Sequence, residues 1–106
     1  MDTAVTRNGV DVGRLVQTIQ AIEGDPGIAR FTFKARTSWR EGSTSRGEIS
    51  SFVHAGQEVP HARTHELTGC EPGVLLGRDS GPNAVELVLA ALGFCYAVGF
   101  VYNAAA

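Results

Sequence analysis

A thiol set inside an apolar helical stretch is the feature of this 106-residue chain most suggestive of chemistry. Cys95 lies within the run Leu87–Tyr102, and the segment Gly81-Pro82-Asn83-Ala84-Val85-Glu86 leads into it. Asn83 and, three residues on, Glu86 have the spacing of a capping box, in which each side chain satisfies a backbone N–H of the other. The pattern predicts a helix over 83–106 that is apolar on almost every side, and a helix of that kind belongs in an interior. Burial by itself disfavours a thiolate, so a shielded cysteine is inert filler unless a neighbour ionises it. Glu86 is no such neighbour. It stands nine positions before Cys95, and at about 100° per residue the two side chains point to opposite sides. It reads as a cap rather than a base. The helix start is also too distant for its dipole to help the sulfur ionise. The face around Cys95 carries Val88, Ala91, Leu92, Gly99 and Tyr102, and the small Ala91 and Gly99 suit another helix crossing close by. A cation must come from elsewhere in the chain. Arg40 is the best placed, with Arg36 and Arg46 behind it, although each is equally an ordinary member of a solvated sheet face.

Other groups that could do chemistry are His54, His61, His65 and Cys70. If Pro60 to Leu67 is a strand, His61 and His65 lie on one face about 13 Å apart at ~3.3 Å per residue, too far for one zinc ion. No metal and no cofactor are expected. Cys70, just before Glu71-Pro72, reads as an incidental loop thiol. Two cysteines are too few for a disulfide scaffold, and reduced thiols in the cytoplasm are the default. The formal net charge of −2 gives no electrostatic case for a nucleic-acid partner. A single-strand platform also fails, because Phe31, Phe33 and Trp39 share the face opposite the arginines, whereas stacking needs aromatics beside the charges. Met1-Asp2-Thr3-Ala4 has no secretory-signal character. The run Leu87–Tyr102 is shorter than the ~20 residues a bilayer span requires, so no membrane is expected.

The elements that must position these groups follow from periodicity. Asp11 can cap a helix whose stripe is Val12, Leu15, Val16, Ile19 and Ile22, ending at Gly24 and Asp25-Pro26-Gly27. Strict alternation follows: Phe31, Phe33, Ala35, Thr37 and Trp39 on one face, and Arg30, Thr32, Lys34, Arg36, Ser38 and Arg40 on the other. This predicts one long strand. A turn at Glu41–Ser45, a second strand over Gly47–Ala55 with Ile49 and Val53 inward, a turn at Ala55–Glu58 and a third strand over Pro60–Leu67 complete an antiparallel meander. The reading is one domain: a helical segment at 1–28, a meander at 29–68, a loop at 69–82 and the central helix at 83–106. Because Asn103-Ala104-Ala105-Ala106 carries no helix stop signal, a C-terminally truncated domain is expected.

The stretches Gly81-Pro82-Asn83, Glu86-Leu87 and Ala90-Ala91-Leu92-Gly93-Phe94-Cys95 resemble the signature of the OsmC/Ohr superfamily. Glu71-Pro72, Leu76-Gly77-Arg78-Asp79 and Trp39-Arg40-Glu41-Gly42 resemble that family's loop and first-strand end. The likeness runs from about Arg30 to the end and is nearer the OsmC-like branch than the hydroperoxide-resistance branch. It implies an α+β fold, an antiparallel β-meander with a long central buried helix, in an intertwined homodimer. It also implies a thiol peroxidase that reduces organic hydroperoxides in oxidative or osmotic stress. Cys95 then matches the peroxidatic cysteine and Arg40 the arginine that stabilises its thiolate, with a small thiol or lipoyl group as reductant.

Three departures from the family pattern bear on this. The hydroperoxide-resistance branch has Glu where this chain has Val85, so its Arg–Glu pairing does not carry over. Ala84 replaces the usual proline at the first helical position, which a helix tolerates. The resolving cysteine, which lies in the family's C-terminal part, has no counterpart here, and Cys70 does not match it. The alternative is a non-enzymatic dimer of the same type that binds a small apolar ligand.

Overall fold

The computed structural model describes residues 5–106; the start Met1-Asp2-Thr3-Ala4, read above for signal character, lies outside them. The fold is α+β, with antiparallel sheets and two helices. Two short strands, β1 (Thr6–Arg7) and β2 (Val10–Asp11), pair antiparallel. Asn8 and Gly9 join them, both in the left-handed region (φ 52° and 80°), the conformation that two-residue hairpin loops require. Helix α1 (Val12–Gly24) follows directly. The Asp11 carboxylate accepts from the Arg14 N–H at 3.0 Å, so the expected cap is present.

The main sheet is built on β5 (Thr44–His54), which is paired on both edges. On one edge lies β6 (Gln57–Gly69). On the other lie β3 (Phe31–Phe33) and β4 (Arg36–Glu41), end to end. The single strand expected over this last stretch is therefore broken at Lys34-Ala35. The cause is an irregularity in β5: Phe33 pairs with Phe52 while Arg36 pairs with Glu48, so three steps on the outer strand face four on β5. The β6 edge slips at the same place, between Ile49 and Ser51, with Pro60 opposite Ser51 and His65 opposite Ile49. An extra residue in a strand reverses the alternation of faces beyond it. Ile49 and Phe52 consequently share a face. Val53, opposite Thr32 and Glu58, lies on the other face, not inward with Ile49 as expected.

The two faces differ in chemistry. One carries Phe31, Phe33, Trp39, Ile49, Phe52, His54, His61, His65 and Leu67, traced by direct pairings and by ring contacts. The other carries ion pairs: Lys34 with Glu58, and Arg46 with Glu48 and Glu66.

Helix α2 (Ala84–Ala105) runs 22 residues, about 33 Å at 1.5 Å per residue. Its capping box is complete: Asn83 Oδ1 accepts from the Glu86 N–H at 2.9 Å, and Glu86 Oε1 accepts from the Asn83 N–H at 3.1 Å. The expected central buried helix is nevertheless exposed along nearly all its length. Its main neighbours among the described residues are the small strands β1 and β2, and it does not pack substantially on the main sheet. Ala84, Val85 and Asn103–Ala105 also extend the helix beyond the run Leu87–Tyr102, so that α2 is long and apolar enough to cross a bilayer by length and composition.

Among the described residues only Cys70 and Ala105 are buried apolar side chains. The radius of gyration is 18.3 Å, against about 13 Å for a compact chain of this length. The accessible surface is 8466 Å², against about 5,700 Å² for a globular protein of this mass. Roughly a third of the surface would be covered in a chain that had closed a core of its own.

The loop between β6 and α2 is by contrast tightly built. Cys70 N–H donates to the Pro82 carbonyl at 3.1 Å, Gly77 N–H to Pro72 at 3.0 Å and Asp79 N–H to Glu71 at 3.0 Å. A Cβ at Gly77 would collide with the Glu71 carbonyl, and one at Gly81 with the Thr68 carbonyl. Gly77→Ala and Gly81→Ala should each destabilise the chain by about 1–3 kcal/mol, whereas Gly73→Ala, where open space surrounds the position, should fall within about 0.5 kcal/mol of wild type. Denaturant midpoints of the three variants measure this, and equal midpoints would show that the loop does not hold the fold.

Candidate functional site

Two thiols stand in opposite surroundings. Cys95 is midway along α2 and exposed, with no hydrogen-bonding partner among the described residues. Around it the helix is uncharged from Leu87 to Ala106. Arg40 sits where β4 slips register against β5 between Trp39 and Glu41, and it is exposed with no ion pair among the described residues. Elements β4 and α2 do not pack substantially against each other within one chain. The cation and the sulfur expected to act together are thus carried on separate surfaces. Arg36, also exposed, lines a shallow hollow with Lys34, Ala35, Glu48, Ser50 and Ser51, and Arg46 is engaged by its two glutamates. Asn83 and Glu86 serve as the cap; Asn83 Nδ2 also donates to Glu71 Oε2 at 3.3 Å, tying the helix start to the loop.

Cys70 is the shielded thiol, 3% exposed. The pairing of Ser45 with Gly69 at the end of the sheet brings the next residue, Cys70, onto the β4–β5 turn. Thr44 Oγ1 lies 3.4 Å and Ser43 Oγ 3.6 Å from its sulfur, and Ser80 of the returning loop adds its hydroxyl and its backbone N–H. These donors favour the charged form of the sulfur. With Ser80 and Thr44 contributing most, they bring the thiol down to about 5, although burial acts the other way. This environment differs from the incidental loop thiol expected at Cys70. The signal was the run Gly42-Ser43-Thr44 at a tight turn and Thr68-Gly69-Cys70 at the end of the strand that pairs beside it, legible only once the strand register is known.

The histidines are also placed differently from expectation. The irregular stretch Pro60–His65 folds His61 back toward His65, so their rings are 5.0 Å apart, not the 13 Å of an unbroken strand. His61 also lies 5.2 Å from Phe52. His54 stacks on Phe31 at 4.4 Å, and its Nε2 is 2.6 Å from the Ile28 carbonyl, to which it donates. Among the described residues no three of His, Cys, Asp and Glu converge as a metal site would require.

Compared with known proteins, the chain matches no family model and no curated protein.

A depressed pKa ties Cys70 to the folded state. The stabilisation it gives is present in full above the unfolded thiol range and is lost as pH falls through about 5. Thiolate ultraviolet absorbance of the folded chain should therefore show an inflection near pH 5, absent in Cys70→Ser and retained in Cys95→Ser. An inflection confined to the ordinary thiol range in the wild type would refute the hydroxyl cage as an ionising device.

Proposed function

We propose that this chain acts as a homodimer of the OsmC-like kind and reduces organic hydroperoxides through Cys95 in a reducing cytoplasm. The observation that carries this reading is the pair of uncovered surfaces: the apolar helix α2, bearing the thiol, and the aromatic face of the sheet. Each is what the other lacks, and they do not pack substantially on each other within one chain. The chain exposes about 2,800 Å² beyond what its mass predicts. Covering that on each of two copies is an interface of the size obligate dimers have. Seating α2 of one copy on the sheet of the other would lay Cys95 over the ring face, and Arg40, at the irregularity of β4 between Trp39 and Glu41 where the regular alternation of faces is interrupted, is the cation proposed to reach round to the sulfur.

The chemistry then balances simply. The Cys95 thiolate attacks the distal oxygen of the hydroperoxide, the O–O bond breaks, and the alkoxide takes a proton and leaves as alcohol. The sulfur, oxidised by two electrons, is left as sulfenic acid. Two thiols of a dithiol such as a reduced lipoyl group return it to the thiol, releasing water and forming their own disulfide.

The second reading is a non-enzymatic dimer that holds a small apolar ligand. What favours it is that no cation stands beside Cys95 among the described residues of the single chain.

Cumene hydroperoxide consumption with a dithiol reductant separates the two. Cys95→Ser should abolish turnover, Cys70→Ser should leave it largely intact, and Arg40→Ala should slow it by at least about tenfold. No turnover in the wild type would favour the binding module, and equal loss in both cysteine variants would overturn the assignment to Cys95. Sedimentation tests the assembly. Gly99→Ala should raise helix propensity by about 1 kcal/mol if the helix stands alone, but weaken a dimer whose second helix crosses there. A monomer that instead binds phospholipid vesicles would assign α2 to a membrane and overturn the dimer.

A further inference from the structure

The aromatic face of the sheet is interrupted by imidazoles, and the fold goes out of its way to place them there. The stretch Pro60–His65 opposes only Ser51–Ile49. The residues in excess fold so that His61 and His65 come edge to face at 5.0 Å, with His61 against Phe52 at 5.2 Å. His54 completes the row beside Phe31. We propose that the His61–His65 pair is an acid-operated release for the helix seated on this face. The inference rests on the dimer reading above and adds its control by pH.

The argument is one of desolvation and repulsion. Histidine is the side chain that ordinarily changes charge between pH 5 and 8. An apolar helix laid over an imidazole disfavours its charged form, and two charged imidazoles at this separation repel each other. The released face takes up protons that the covered face cannot hold, so acid favours release.

Little nearby would neutralise that charge. On the pair's own face β5 contributes Ile49, Phe52 and His54, β3 contributes Phe31 and Phe33, and β4 contributes Trp39, none of them an anion. Glu48, Glu58 and Glu66, with Lys34 and Arg46, are engaged in ion pairs on the opposite face. Arg63, exposed between the two histidines in sequence, is positive. The seated helix brings only Glu86, closed into its cap, and Cys95, Tyr96 and Tyr102 as titratable groups. His54 stands apart from the pair, its Nε2–H donated to the Ile28 carbonyl.

The test is sedimentation velocity of the full chain over a concentration series at about pH 7.5 and about pH 5.5, bracketing the imidazole range. The expected result is a dimer whose dissociation constant rises at least about tenfold on acidification, as uptake of one proton or more on release requires. In His61→Gln/His65→Gln the dimer should persist and the rise should fall to less than about threefold. A wild-type dimer with the same constant at both pH values overturns the switch and leaves the dimer standing. So does a pH dependence that survives in the double variant. A monomer at both pH values overturns the dimer reading itself.

Discussion

A 22-residue helix with a single charged side chain must be taken out of water by something, and that requirement governs everything else in this molecule. At about 25 cal/mol per Å² of apolar surface, leaving α2 and one sheet face wet forfeits a substantial share, about a quarter by area, of the burial a domain of this mass achieves on folding. The chain does not recover it internally. The strands below α2 are β1 and β2, too small to cover it, and the main sheet turns its aromatic face to solvent, with Phe33 at 74% and Trp39 at 71% exposed. Both α-helices carry their N-terminal caps, and the strands are paired apart from the irregularities near Ser50 and Arg40. What is missing is the contact between layers from which domain cores are made.

The extra residue near Ser50 is the second organising feature. It breaks the outer strand into β3 and β4 and reverses which side chains face which way, while at the same place the residues in excess on β6, Pro60–His65, bring the histidines together. Without it Phe52 would fall on the side of the ion pairs and the polar and aromatic residues would mingle. With it, each face is chemically uniform. One is held together by charge pairs that remain comfortable in water. The other is a surface of rings suited to being covered.

Much of this was legible in the amino-acid order. The capping residues Asp11, Asn83 and Glu86, the helix boundaries, the meander and the common face of Phe31, Phe33 and Trp39 follow from periodicity and local backbone chemistry. The Asn8-Gly9 hairpin, absent from the expected elements, has its signal in those two turn residues. The break at Lys34-Ala35, the separation of Ile49 from Val53 and the approach of His61 to His65 were not legible, because an inserted residue leaves no mark in the alternation of a strand whose neighbours are unknown. The candidate site divides the same way. Cys95 announces itself by its apolar surroundings, whereas the hydroxyls around Cys70 come from three separated segments that only the register of β5 and β6 brings together. What covers α2 is not packing against the main sheet of the same chain, and local pattern does not encode it.

The connection into α2 bears on how that assembly would form. Its turns are locked by short backbone hydrogen bonds and by glycines pressed against neighbouring carbonyls, and Asn83 is tied back to Glu71. The launch angle of the helix is thus set before any partner arrives. Recognition can proceed as the docking of stiff bodies, with little loss of chain entropy at the encounter. Such an arm would tend to select a mate of matching curvature rather than mould itself to whatever greasy surface drifts past.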